Sequence, residues 1–165
     1  QERFVIGDYG RIDVSAGVQK IKGTIPFPLL LYPNQHSRNP IENSAFYCTP
    51  AIEFAGDEQY ALRATFIGNQ WLLYRVPVLK KWGTKELITF RMVYSKLSDK
   101  NIPTLENDLF IFPEATSIMK KTPYIEASLG AINVMGFFRV EYVHRFTYRD
   151  NPHAIRGSFR LDVSF

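Results

Sequence analysis

The chain has 165 residues, with Lys+Arg 20, Asp+Glu 16 and a formal charge of +4. That length holds a single domain with a full core or one small transmembrane β-barrel. One cysteine rules out an internal disulfide framework, and 45% hydrophobic with 22% charged residues rules out extended disorder. Aromatic residues make up 15% of the chain, and with ten Gly and ten Pro they favour strands and turns over helices.

The basic residues are dispersed and no recognition motif accompanies them, so no nucleic-acid partner is expected. No apolar run approaches the roughly 18 to 20 residues of a membrane helix, whereas a β-barrel remains open because its strands alternate.

Period-two alternation predicts the elements in order. The first strand places Phe4, Ile6, Ile12, Val14, Ala16 and Val18 on one face, with Arg11, Asp13, Ser15, Gly17 and Gln19 on the other. A second runs from Phe46 through Cys48, Pro50, Ile52 and Phe54, and a tight turn at 55–58 leads into a third with Tyr60, Leu62, Ala64 and Phe66 in phase. The fourth sets Ile88, Phe90, Met92 and Tyr94 against Thr89, Arg91 and Ser95. The fifth sets Ile125, Ala127, Leu129 and Ala131 against Tyr124, Glu126 and Ser128.

The sixth strand has Phe138, Val140, Tyr142, Phe146 and Tyr148 on one face and Arg139, Glu141 and Arg145 on the other, with Val143 and His144 breaking the pattern. The seventh alternates Phe159, Leu161, Val163 and Phe165 with Ser158, Arg160, Asp162 and Ser164.

This pattern fits an all-β, antiparallel transmembrane β-barrel, or its C-terminal strands, about seven or eight of them. Residues 1–165 then form one barrel domain or the C-terminal portion of a larger barrel. Phe138, Val140, Tyr142, Phe146, Tyr148, Phe159, Leu161, Val163 and Phe165 are expected to face lipid, with aromatics near strand ends as interface belts. Arg139, Glu141, Arg145, Arg160 and Asp162 are expected to face the lumen, held by cross-strand ion pairs. A soluble barrel with an apolar interior has the same periodicity and is the alternative.

Three long connections are expected at 22–44, 70–84 and 97–122. If the chain ends in the periplasm, 97–122 is external, and the other two fall on the periplasmic side against the rule of short periplasmic turns. A bacterial single-chain barrel has an even number of strands, so seven strands and no N-terminal signal suggest a piece of a longer chain.

Several stretches carry a family resemblance: GTIPFPLL at 23–30, Ala45-Phe46 leading to Glu53-Phe54 and Asp57, Gly68 through RVPVLKK at 75–81, LSDKN at 97–101, PYIE at 123–126, GAIN at 130–133, and RVEY at 139–142 with Arg145. Together they resemble a Bacteroidota family of outer-membrane proteins of unknown function, whose precursors carry a carboxypeptidase-regulatory-like domain before a C-terminal β-barrel. The resemblance spans nearly the whole chain in order. It implies an outer-membrane location, contact with lipid, and partners among other envelope proteins or upstream strands of the same precursor. It implies no reaction. Gly68-Asn69-Gln70-Trp71 and Tyr74-Arg75 depart from the family's pattern.

No catalytic, cofactor or metal site is expected. His36, His144 and His153 are dispersed and form no HxxE or HExxH motif. A lipid-modifying enzyme would use His144 with Ser158 or Ser164, but His144 sits in the apolar phase and both serines in the polar one, so contact would need a bulge. Trp71, Tyr74, Arg75, Lys80, Lys81 and Trp82 form a candidate membrane-surface or partner-docking segment, or a simple connection. Gly7, Gly10, Gly17 and Gly130 are expected to relieve strand curvature.

Overall fold

The computed structural model describes residues 1–34, 45–104 and 109–163. These residues form an all-β fold: one antiparallel sheet of seven strands, each bonded to its sequence neighbour. The strands are β1 Glu2–Ile6, β2 Gly10–Lys20, β3 Glu58–Gly68, β4 Lys85–Lys96, β5 Tyr124–Val134, β6 Phe138–Arg145 and β7 Gly157–Val163. Among the described residues, one short helix, α1 Pro77–Trp82, and four 3₁₀ turns complete the regular structure. β1 and β7 are the edges of the sheet and do not pair with each other, so it is not closed into a barrel.

The strand count agrees with the sequence expectation, but two elements differ. The first predicted strand is a hairpin: β1 folds back on β2 with Ile6 opposite Gly10. Gly7 has φ +46° and Gly10 φ +142°, and a Cβ on Gly10 would lie 2.2 Å from the Ile67 carbonyl oxygen. These two glycines therefore make a turn and permit a close backbone approach, which is a different task from relieving curvature. The second predicted strand is absent. Residues 45–57 are irregular: the Glu53 N–H bonds back to the Pro50 carbonyl in a turn, and Ile52 has φ +59°. Pro50 has no N–H for a ladder, which accounts for the loss of the strand.

Both corrections move the loops. Because β2 now runs directly into the segment beginning at 21, the connections 21–57, 97–123 and 146–156 all leave from one end of the sheet. The turns at 7–9 and 135–137, with the longer 69–84, lie at the other end. The expected split of long loops between the two ends is thereby overturned for 22–44, which joins 97–122, while 70–84 stays opposite.

The two faces are unlike. One carries Ile12, Val14, Leu62, Phe66, Ile88, Phe90, Leu129, Val140, Tyr142, Phe159 and Leu161. The other carries Arg63, Thr65, Thr89, Arg91, Glu126, Ser128, Glu141, Arg145 and Arg160. The polar face is the buried one. Glu126 and Arg145 are 0% exposed and Glu141 1%, whereas Phe159 is 81%, Leu161 67% and Leu129 66% exposed.

Candidate functional site

The 45–57 segment lies on the polar face and pairs with Glu126 and Arg145 there. Glu53 receives both terminal nitrogens of Arg145, the Nη1 bond being 2.9 Å, and an amide N–H of Asn151 at 2.9 Å. Arg145 also donates to the Cys48 carbonyl at 3.0 Å and the Thr147 carbonyl at 3.0 Å. Glu126 accepts the backbone N–H groups of Tyr47 and Cys48 at 3.1 Å and the Tyr124 hydroxyl at 3.0 Å. Glu141 accepts from Ser128 and Arg139 at 2.9 Å and from Arg160 at 3.3 Å, and Arg160 in turn pairs with Asp162. Each carboxylate on this face is thus surrounded by donors, the condition under which buried charges persist.

Aromatic rings of the segment lie among the arginines. The Tyr47 ring lies between Arg91 and Arg160, whose guanidinium carbons are 4.8 and 4.7 Å from its centroid, and Arg145 stands 5.0 Å over Tyr124. Phe46 and Phe54 each pack 5.6 Å from Tyr124. Burial pushes the Tyr47 hydroxyl up despite the two cations, so it stays protonated. Burial and then Glu126 push the Cys48 thiol up to about 12, against the opposing pull of Arg145 and Arg91. Its Sγ rests 3.8 Å from the Val143 carbonyl oxygen.

At the long-loop end, Asp57 and the buried Asn101 tie the 21–57 and 97–123 connections together. Asp57 accepts from the Ser98 N–H at 3.2 Å and the Asn101 amide at 2.8 Å, while the Asn101 oxygen accepts the Ile25 N–H at 2.8 Å. Burial opposes ionisation of Asp57, but these bonds outweigh it and hold the carboxyl below its usual range. Ile25, Leu30, Ala55 and Leu97 form the small apolar cluster beside them.

Arg139, Glu141, Arg145, Arg160 and Asp162 all lie on this covered face. Val143 is buried in the same phase, so it continues the polar-face row that it was expected to interrupt. Val140, Tyr142, Phe146, Phe159, Leu161 and Val163 are exposed, and Phe138 is half-buried against Phe137. Tyr148 departs from that group. After β6 ends at Arg145, the chain turns, and the Tyr148 ring packs 5.0 Å from Phe54 while its hydroxyl donates to the Thr122 carbonyl. Phe165, Ser164 and His36 lie outside the described residues.

His144 shares the apolar face, between Tyr142 and Phe146 at 6.3 and 5.1 Å, while Ser158 opposes Val143 on the polar one. No bulge brings His144 and Ser158 together. Among the described residues, no group of three or more His, Cys, Asp or Glu side chains is arranged to hold a metal ion.

The segment Trp71, Tyr74, Arg75, Lys80, Lys81 and Trp82 lies at the short-turn end. Its backbone is anchored to the sheet by Glu86, which accepts the Leu72 and Leu73 N–H groups at 2.5 and 2.7 Å. Trp71, Leu72, Tyr74, Val76, Val78 and Trp82 are exposed, and Lys80 lies 3.9 Å over the Tyr74 ring.

Sequence reasoning located Arg91, Glu126 and Arg145 by phase but missed Tyr47 as the partner of the first two and Glu53 as the partner of the third. Pro50 was the available signal, since proline inside a supposed interior strand argues against that strand. Compared with protein-family models, curated proteins and solved structures, the chain matches none.

Proposed function

We propose that this chain is part of a non-enzymatic bacterial outer-membrane β-barrel, with its apolar face toward lipid and its polar face toward a lumen filled by residues 45–57. The observation that carries the reading is the inverted burial of the sheet: arginine and glutamate side chains are inside and large apolar ones are exposed. A soluble monomer rarely exposes a contiguous apolar face of this extent, and in lipid the same arrangement keeps the apolar side chains out of water.

Strand dimensions support it. β2 to β5 are 11, 11, 12 and 11 residues long, against about 9 to 11 for a tilted membrane strand. Loop placement supports it too, with the longest connections at one end, as in barrels whose long loops are external. Tyr9, Trp71, Tyr74, Trp82 and Phe137 are exposed at the short-turn end, where an interface belt would lie. The free edges of β1 and β7 would be paired by further strands of the same precursor or of another envelope protein, since an open edge does not persist in hydrocarbon. Within this reading, the role is in transport, in envelope assembly or as a subunit of an outer-membrane complex.

The soluble alternative needs the apolar face inside. The packing of 45–57 onto the polar side speaks against it. A lipid-modifying enzyme would need His144 and Ser158 on one face, and they lie on opposite ones.

Fractionation of cells making the full-length protein tests the proposal. Recovery with outer membranes, resistant to alkaline extraction and released by detergent, is expected; recovery in the soluble fraction without detergent would overturn it.

A further inference from the structure

The charges of the covered face do not balance evenly across it. Arg145, Arg160 and Arg139 each have a carboxylate at hydrogen-bonding distance. Among the described residues, Arg63 and Arg91 have none so close. They are directly opposite each other on β3 and β4, a like-charge pair at a position where such pairs destabilise a sheet.

Arg91 is fully buried, and among the described residues the nearest carboxylate oxygen, on Glu126, is 3.7 Å away. Glu126 is already occupied by the Tyr47 and Cys48 N–H groups and the Tyr124 hydroxyl. Among the described residues, two nitrogens of Arg91, Nε and Nη2, and Nε of Arg63 have no hydrogen-bond partner. Leaving a guanidinium nitrogen buried and unpaired is costly.

Both arginines line a cavity of about 460 Å³ on this face, whose other polar walls include Ser15, Gln19, Asn34 and Gln59. That volume is in the range of small-molecule sites. Guanidinium groups present paired donors matched to carboxylate and phosphoryl oxygens, and a second cation beside the first favours an anion further.

We infer that Arg63 and Arg91 form a binding site for an oxyanion, the carboxylate or phosphoryl group of a small solute, in the cavity between β2, β3, β4 and the 45–57 segment. The anion relieves the repulsion between the two arginines and supplies the acceptors that the described residues do not. The site does not depend on membrane placement, so its failure and the failure of the barrel reading are separable: cell fractionation reports only the latter.

The test is thermal stability and calorimetric titration of the full-length protein in detergent, with inorganic phosphate, succinate or chloride at matched ionic strength. Stabilisation by phosphate alone assigns a phosphoryl solute, by succinate alone a carboxylate solute, and by both an oxyanion site of broad acceptance. Arg63→Gln is expected to weaken that binding about ten- to hundredfold, yet to leave the anion-free protein at least as stable as wild type, because one of two facing cations is gone.

A merely structural arginine would not show those opposite signs. Gly17 lines the cavity and a Cβ there meets no atom within 4 Å, so Gly17→Leu is a second variant that narrows the cavity and keeps both arginines. The inference is overturned if neither oxyanion stabilises the wild type more than chloride. It is equally overturned if Arg63→Gln, or Gly17→Leu should the first not fold, responds as the wild type does.

Discussion

Glu53 and Arg145, 92 residues apart in sequence, form a bidentate ion pair with no exposure of either side chain to solvent beyond 1%. Glu53 belongs to an irregular segment and Arg145 ends a strand, so the pair fastens the filling of the polar face to the sheet. Removing one member leaves the other charged and buried. Glu53→Ala is expected to cost about 3 to 5 kcal/mol, measured by chemical denaturation in detergent. A cost below about 1 kcal/mol would mean that Arg145 is satisfied by its carbonyl partners alone.

Cys48 reports on the same segment. With a buried thiol pushed up to about 12, it presents almost no thiolate at neutral pH and should resist maleimide labelling in the folded protein. Glu53→Ala should raise the labelling rate at least several-fold by loosening 45–57. Rapid labelling of the wild type would show that this segment leaves the polar face readily.

Asp57 gives the long-loop end a pH dependence. Its carboxyl is held below the usual range in the folded state, so the stabilisation is fully present above the unfolded value and disappears as the pH falls through the lowered folded one. The expected signature is increasing proteolytic sensitivity of 21–34 and 97–104 in acid, absent in Asp57→Asn, in which that end is weakened at every pH. Asn101→Ala, which strands the Ile25 N–H and one Asp57 acceptor, should cost about 1 to 3 kcal/mol.

The strands were largely legible because alternation survives whichever side of the sheet is wet. The β1–β2 hairpin escaped for a geometric reason: Ile6 and Gly10 are linked by three residues, so Phe4, Ile6, Ile12 and Val14 keep one parity across the turn. Only Gly7 and Gly10 marked it. In 45–57, alternate apolar residues imitated a strand although Phe46, Tyr47 and Cys48 are all buried, as no one-sided strand would allow. Which face is inside was not legible, since periodicity is blind to it. Nor was the Glu53–Arg145 pair, which depends on how a turn at Pro50 carries one carboxylate across the sheet.

Leu161 and Val140 are opposed on the exposed face. Leu161→Arg is expected to leave the polar face intact but to disfavour membrane insertion by about 2 to 4 kcal/mol if the position lies near mid-bilayer. Folding efficiency into lipid vesicles measures this. Unchanged insertion would remove Leu161 from the proposed lipid-facing surface.

The inverted sheet itself is tested most directly by single spin labels along β7 in the full-length protein reconstituted in lipid vesicles. Labels at Phe159, Leu161 and Val163 are predicted to be accessible to dissolved oxygen and shielded from a water-soluble nickel chelate, whereas labels at Ser158 and Asp162 are shielded from oxygen. High chelate accessibility at Phe159 and Leu161, with no alternation along the strand, would contradict it.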